Sequence, residues 1–98
     1  MNTYQLSIIT PGGKVFDGRV ESLVAPGSEG FLGIWANHAP MAAALRPGPL
    51  TLKQEAETLY FAVSSGILEV DSQRNVLVLC DDAVEAPSRE AAKFKSAP

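Results

Sequence analysis

Residues Ala25–Pro40 read Ala-Pro-Gly-Ser-Glu-Gly-Phe-Leu-Gly-Ile-Trp-Ala-Asn-His-Ala-Pro, and they concentrate the residues with special backbone or side-chain chemistry. The stretch holds three of the eight glycines, two of the seven prolines, the only tryptophan and the only histidine. Such a density predicts a shaped, exposed structure rather than a run of interchangeable core residues. The remainder of the chain is therefore expected to be the scaffold that supports it.

Within this stretch, the residue types predict a turn, a strand and a second loop. Pro26-Gly27 favours a turn, because proline fixes the first central φ and glycine supplies a positive φ at the second. Phe31–Trp35 is apolar and short enough for a strand, and Gly33 leaves room for a bulge or a close backbone. Residues 36–40 are expected to form the second loop.

Short strand-like runs separated by Gly, Pro or polar turns recur on both sides of this stretch. They are Tyr4–Ile9, Lys14–Phe16, Arg19–Val24, Leu50–Lys53, Thr58–Val63, Ile67–Val70 and Val76–Cys80. The first run alternates as a half-buried strand does, with Tyr4, Leu6 and Ile8 expected on one face. In the third run, Val20 and Val24 are expected to face the same side. Met41–Leu45 is interpreted as extended, because five residues bounded by prolines are too few for a stable helix. The pattern predicts an all-β antiparallel sandwich or barrel of about 8–10 short strands.

The strand pattern ends before the last residues, which instead favour a short helix. Ser88 is a good helix cap, and residues 89–95 could form one or two helical turns that need docking to be stable. We therefore expect a single β-domain over residues 1–86 and a short C-terminal tail over residues 87–98.

Composition excludes several classes of partner. A formal net charge of −3 and a pI near 5.0 argue against nucleic-acid binding and against attraction to anionic lipid. Cys80 is the only cysteine, so no internal disulfide is possible. No apolar run approaches the ~20 residues that span a bilayer, and no basic and apolar leader follows Met1. A soluble, cytoplasmic protein without direct lipid insertion is expected.

Residues that could carry chemistry are few. His38 lacks a second histidine or a cysteine cluster to complete a metal site, and Cys80 sits where a buried apolar residue is expected. Asp81 and Asp82 are adjacent on a strand and would point to opposite faces. Residues 27–30 resemble a phosphate loop, but no lysine follows at the required spacing. We expect no catalytic residue, no metal and no cofactor.

Several motifs together resemble one known family. They are Gly-Ser-Glu-Gly-x-Leu-Gly-Ile at 27–34, His-Ala-Pro at 38–40, Leu-Arg-Pro-Gly at 45–48 and Ser-Gly-Ile-Leu-Glu-Val at 65–70. In this order and spacing, from Tyr4 to about Val84, the chain resembles the epsilon subunit of bacterial F-type ATP synthases, called delta in mitochondria. Several ordered motifs are a far more specific signal than one.

The resemblance implies a flattened β-sandwich and a non-catalytic role in the central stalk of a proton-translocating ATP synthase. Such a rotor subunit binds the gamma subunit and the c-ring, acts on the catalytic head only indirectly, and couples proton flow to ATP synthesis. It implies a peripheral position at the cytoplasmic face of the bacterial inner membrane.

The resemblance also implies which residues meet each partner. The gamma interface is expected to contain Thr10, His38, Ala39 and Pro40. The c-ring interface is expected to contain Ser28, Glu29, Gly30, Phe31 and Leu32. Two departures stand out. Phe31 occupies a position that is often charged in the family, so apolar contact would replace an ion pair. Asn37 stands where the family usually has glycine, and asparagine tolerates positive φ.

Alternatives remain open at the level of the residues. Phe31 and Trp35 could anchor an interface or fill the core. An unrelated sandwich or barrel that binds a small ligand through Trp35 and His38 would fit the composition too. The family's C-terminal helical hairpin corresponds here only to residues 88–98, and Glu85–Arg89 lacks the spacing of the family's acidic-x-x-Arg nucleotide motif. We therefore expect neither inhibition of hydrolysis through a helical arm nor ATP binding.

Overall fold

The computed structural model describes residues 2–95, with side chains to residue 93, and contains ten strands and one helix. The first five strands are β1 (Tyr4–Thr10), β2 (Gly13–Val20), β3 (Ser22–Gly27), β4 (Gly30–Trp35) and β5 (Met41–Leu45). The others are β6 (Gly48–Lys53), β7 (Thr58–Val63), β8 (Gly66–Val70), β9 (Val76–Cys80) and β10 (Ala83–Ala86). Helix α1 covers Arg89–Lys95. The predicted all-β class with a short C-terminal helix is confirmed.

The strands form a sandwich whose two halves are continuous at one corner. One half runs in the order β4-β3-β6-β7-β10, and the other in the order β5-β8-β9-β1-β2. They join where Gly27 of β3 pairs with Leu45 of β5. All pairs are antiparallel except β1 with β9, which are parallel. The sequence did not predict this parallel pair, because alternation and turn signals report only on neighbours along the chain.

The core lies between the two halves and is built by alternation along the strands. Tyr4, Leu6 and Ile8 of β1 are buried, as the sequence predicted. From the opposite half, Phe61 is buried and meets the Phe16 ring edge-on, with centroids 6.2 Å apart. The Tyr4 hydroxyl donates a hydrogen bond of 2.9 Å to the Ile34 carbonyl, which ties β1 to β4.

The predicted third strand is divided at Glu21. β2 ends at Val20 and β3 begins at Ser22, so Arg19 and Val20 belong to the preceding strand. Val20 is fully buried whereas Val24 is 36% exposed, so the expectation that they face the same way is wrong. The two valines lie on strands of different halves, and the period-two alternation restarts between them.

The tail forms the predicted helix α1, and Ser88 caps its N-terminus as expected. The Ser88 hydroxyl accepts a hydrogen bond of 3.1 Å from the Ala91 amide, and the Ser88 carbonyl accepts one from Ala92. α1 packs over β6, β7 and β10, where Ala92 is fully buried. β10 was not predicted, because four residues with two small alanines carry little strand signal.

Candidate interaction surfaces

The β3–β4 hairpin carries the residues for which the family resemblance implies contact with the c-ring. Its loop has only two residues, Ser28 and Glu29, and Gly27 pairs with Gly30 across it. Pro26 and Gly27 lie inside β3, so the turn falls two residues later than predicted. The residue that needs a positive φ is Gly30, at +128°. The Ser28 amide donates a hydrogen bond of 2.9 Å to the Ala44 carbonyl, which holds the tip against β5.

Side chains alternate along β4, and this alternation separates the predicted c-ring residues. Leu32 is partly buried and packs against the core, while Phe31 is 47% exposed. Trp35 points to the same side as Phe31 and is 60% exposed, and its ring covers the space that a side chain at Gly33 would need. Both aromatic residues therefore lie on the surface rather than in the core.

Phe31 forms one wall of a cleft with basic side chains, which we call the basic cleft. The guanidinium carbon of Arg89 in α1 lies 5.1 Å from the centroid of the Phe31 ring, within the range of a cation–π contact. The cleft has a volume of about 330 Å³ and is lined by Pro26, Phe31, Arg46, Pro47, Gly48, Pro49 and Lys93. Sequence reasoning missed this arrangement, because its residues come from three separate segments.

The residues assigned to gamma are not brought together in one place. Thr10 ends β1 and lines a cleft with Gly66 and Cys80. Tyr4 begins β1 and lines a different cleft with Asn37 and Arg74. Six residue steps along a strand cover about 20 Å. Thr10 and the segment that contains His38 therefore lie near opposite ends of the same strand.

The loop that contains His38 is held by its backbone. Asn37 has a φ of +67°, a left-handed conformation that asparagine tolerates better than most residues. The Arg74 guanidinium donates a hydrogen bond of 3.1 Å to the His38 carbonyl, and the His38 Nδ1 lies 2.8 Å from the Ala39 carbonyl oxygen. His38 is half-buried, and Ala39 and Pro40 are exposed. This loop can present a fixed surface to a partner.

A second surface, which sequence reasoning missed, is an apolar row across three strands. Ile9 pairs with Leu79, and Leu79 pairs with Ile67, so the three side chains lie side by side on the outer face. Leu79 is 46% exposed and Ile67 is 53% exposed. The sequence does contain a signal for this row. All five residues of Val76–Cys80 are apolar, and such a run places apolar side chains on both faces of a sheet.

The apolar row forms part of an open groove of about 580 Å³. Its other lining residues are Thr10, Pro11, Ser65, Gly66, Cys80 and Asp81. Cys80 itself points inward and is 7% exposed, as the sequence predicted. Burial raises the pKa of the Cys80 thiol, which disfavours the reactive thiolate.

The described residues 2–95 bear on two kinds of site considered from the sequence, a metal site and a ligand site at Trp35 and His38. Within them, no three His, Cys, Asp or Glu side chains lie close enough to share a metal ion. Of four clefts on this part of the chain, none is lined by Trp35 or His38. No helix in the same residues is long and apolar enough to cross a membrane.

Comparison with known proteins identifies the family. Residues 3–86 match the family model for the ATP synthase delta/epsilon chain, beta-sandwich domain. The chain belongs to this delta/epsilon family. The matched segment ends at the last residue of β10, so α1 lies beyond it.

Curated relatives within the delta/epsilon family are similar over nearly the whole chain. The ATP synthase epsilon chain of Pelotomaculum thermopropionicum is 40% identical over 95 residues, which cover 97% of this chain and 70% of that relative. ATP synthase epsilon chain 1 of Methylococcus capsulatus is 41% identical over 96 residues, which cover 97% of this chain and 68% of that relative.

Solved structures share the fold at lower identity. A chain of the Euglena gracilis mitochondrial ATP synthase, in a structure of OSCP, F1 and c-ring, matches with a TM-score of 0.79 and 21% identity. A chain of the Tetrahymena thermophila mitochondrial ATP synthase, from its central stalk and c-ring, matches with a TM-score of 0.72 and 20% identity. Each match covers 85% of this chain, which spans 53% of the Euglena chain and 66% of the Tetrahymena chain.

Proposed function

We propose that this delta/epsilon-family chain is a non-catalytic rotor subunit of a proton-translocating F-type ATP synthase. In this role it binds gamma and the c-ring and couples proton flow to ATP synthesis at the cytoplasmic face of the bacterial inner membrane. The observation that supports this most directly is the exposed apolar row. Contiguous apolar side chains on a surface commonly mark a protein interface.

We assign the apolar row to gamma. The family resemblance implies a gamma contact for Thr10, and Thr10 lines the same groove as Ile67 and Leu79. A standard interface buries about 800 Å² on each partner, which is a patch roughly 30 Å across. One such patch can cover the apolar row and also reach the loop of His38, Ala39 and Pro40 about 20 Å away.

The β3–β4 hairpin is proposed as the contact with the c-ring, through Ser28, Glu29, Gly30, Phe31 and Leu32. Leu32 packs against the core and so holds β4 in position, while the tip residues Ser28 and Glu29 and the Phe31 side chain are exposed. We further propose that residues 1–86 form the working domain and residues 87–98 a tail. The rotor role needs a rigid body with two separate surfaces, and a sandwich with short hairpins supplies both.

The gamma assignment can be tested by charge substitution on the apolar row. Ile67→Asp and Leu79→Asp should each weaken binding to purified gamma at least tenfold, because a carboxylate would be buried in an apolar interface. Val84→Asp is a matched control, since Val84 is similarly exposed at 45% but lies on β10 in the other half of the sandwich.

The control should change gamma affinity less than twofold. Equal effects at all three positions, or no binding of gamma by the unmodified chain, would contradict the assignment. A chain that ignores gamma but binds a small molecule would favour the alternative of a ligand-binding sandwich.

The His38 loop gives a finer test of how far the gamma interface extends. His38→Ala should weaken gamma binding by about 1 kcal/mol, a factor of roughly five, if the loop is in contact. Binding and thermal unfolding are measured on the same variant. Unchanged affinity at equal stability would limit the interface to the Thr10 end.

A further inference from the structure

The basic cleft combines positive charge with an apolar floor. Arg46 and Lys93 line it, and Arg89 stands over the Phe31 ring at its edge. Arg89 and Lys93 are four residues apart on α1, so they project from the same face of the helix. The cleft thus gathers three of the chain's eight basic residues, although the net charge of the chain is −3.

Among the side chains that the structure describes, up to residue 93, no carboxylate lines the basic cleft to neutralise this charge. The lining residues among them are basic, apolar or glycine. Among the described residues, the Arg46 and Lys93 side chains form no ion pair, and the salt bridge that is present joins Lys14 to Asp17 elsewhere. An anionic group that enters the cleft can therefore pair with Arg46 and Lys93 without first breaking an ion pair among the described residues.

The walls of the basic cleft are fixed in place. The Arg46 amide donates a hydrogen bond of 2.9 Å to the Pro26 carbonyl, which locks the β5–β6 connection onto β3. A Cβ at Gly48 would lie only 2.9 Å from the Pro26 Cβ, so the two backbones approach closely. Pro47 and Pro49 restrict the same segment further. Preorganised walls reduce the entropy that binding must overcome.

We propose that the basic cleft binds a carboxylate-bearing loop of the c-ring, the partner assigned above to the β3–β4 hairpin. The inference rests on that assignment and adds the chemistry of the contact. Phe31 and the prolines receive an apolar side chain of the loop, and Arg46 and Lys93 receive the carboxylate. Because Phe31 belongs to both the hairpin surface and the cleft, the two surfaces are continuous.

A protein loop fits the cleft better than an anionic membrane. The three basic side chains at the cleft belong to a chain of net charge −3, and an extended anionic surface would also meet Glu29 at the hairpin tip and Glu90 on α1. A discrete carboxylate avoids both glutamates.

The test measures binding of the whole chain to purified, detergent-solubilised c-ring at several salt concentrations. The double variant Arg46→Glu with Lys93→Glu should lose about tenfold in affinity at low salt, and affinity of the unmodified chain should fall as salt is raised. Arg46→Gln should give a smaller loss in the same direction. Lys53→Glu is the matched control, because Lys53 is exposed on β6 outside the cleft, and it should change affinity less than twofold.

A zero-length carbodiimide crosslink gives an independent readout. It joins a lysine amine to a carboxylate in direct contact, so Lys93 should be linked to an Asp or Glu of the ring subunit, identified by mass spectrometry. Lys93→Arg should remove the crosslink but retain binding, because it keeps the charge and lacks the amine.

The outcomes separate the two proposals. If the unmodified chain does not bind the ring, the assignment of the hairpin to the ring is wrong and this inference is wrong with it. If the chain binds but the double variant behaves like Lys53→Glu, the inference alone is overturned. Equal binding to ring-free phosphatidylglycerol vesicles would also overturn it in favour of lipid headgroups.

Discussion

The core between the two halves of the sandwich and the contact beneath α1 are built from different side chains. The core is dominated by large aliphatic and aromatic residues such as Leu50, Phe61 and Leu68, all nearly inaccessible to solvent. The contact beneath α1 is an alanine seam formed by Ala62, Ala86 and Ala92, with Tyr60 and Ala91 at its edge. Burial of a large side chain stabilises by roughly 1.5–3 kcal/mol, whereas alanine has little area to bury.

This difference implies that the sandwich does not depend on α1, while α1 depends on the sandwich. A helix of seven residues is not stable alone in water. The alanine seam lets α1 approach closely, which positions Arg89 and Lys93 beside Phe31, but gives the helix a small local stability. Local opening of α1 should therefore need much less free energy than global unfolding.

The largest expected effect is in the core. Phe61→Ala should lower the free energy of unfolding by about 3–5 kcal/mol, because it leaves a cavity and removes the edge-on contact with Phe16. Urea denaturation monitored by circular dichroism measures the change. Val84→Ala, an exposed position on the neighbouring strand β10, should stay within about 0.5 kcal/mol. A loss below 1 kcal/mol at Phe61 would mean that the core is less tightly packed than described.

The second effect should be confined to the seam. Ala92→Leu inserts a large side chain where none fits, at a cost of about 1–3 kcal/mol that the short helix cannot absorb. We expect α1 amides to lose protection from hydrogen exchange while core amides of β1 and β8 keep theirs. Ala91→Leu, at the edge of the seam, is the control and should reduce the protection of the α1 amides less than Ala92→Leu does. Loss of protection throughout the sandwich would show that the two regions are coupled.

The third test concerns the polar link between the two halves. Tyr4→Phe removes the hydrogen bond to the Ile34 carbonyl and should destabilise by about 1 kcal/mol at neutral pH. The same substitution should also change how the free energy of unfolding depends on pH in alkaline solution. Burial raises the pKa of Tyr4 above its ordinary value of 10.0, so this group stabilises the fold below that pH.

Above pH 10 the unfolded chain releases the Tyr4 proton while the folded chain retains it. The free energy of unfolding should therefore fall by about 1.4 kcal/mol per pH unit from this group as pH rises further. Tyr4→Phe should show a slope smaller by that amount in urea titrations at pH 10–11.5. Identical slopes in the two proteins would contradict an inaccessible Tyr4 hydroxyl.

The smallest effect on global stability is expected at the helix cap. Ser88→Ala removes the acceptor for the Ala91 amide and should weaken α1 by about 1 kcal/mol. Exchange of the α1 amides should become faster by roughly fivefold, with the urea midpoint of the sandwich unchanged. Ser88→Asp should restore protection, since aspartate caps equally well. A shift in the midpoint itself would make α1 part of the cooperative unit.

Sequence reasoning predicted most elements because their signals are local. Alternation at Tyr4, Leu6 and Ile8 places β1, and polar turns separate β6 from β7 and β8 from β9. The turn near Gly27 was misplaced by two residues, since hydrogen bonding to the Ala44 carbonyl fixes the hairpin tip from a distant strand. β10 escaped prediction because its pairing with β7, rather than its own residues, makes it a strand.

The candidate surfaces depended more heavily on tertiary structure. The sequence alone determined the all-β class, the short capped helix and, through ordered motifs, the family. Only the folded chain decided that β1 pairs in parallel with β9, and this pairing puts Ile9 beside Leu79. Only the fold brought Arg46, Phe31 and Arg89 around one cleft. Alternation and capping act over a few residues, whereas these surfaces join segments far apart in the chain, which only packing brings into contact.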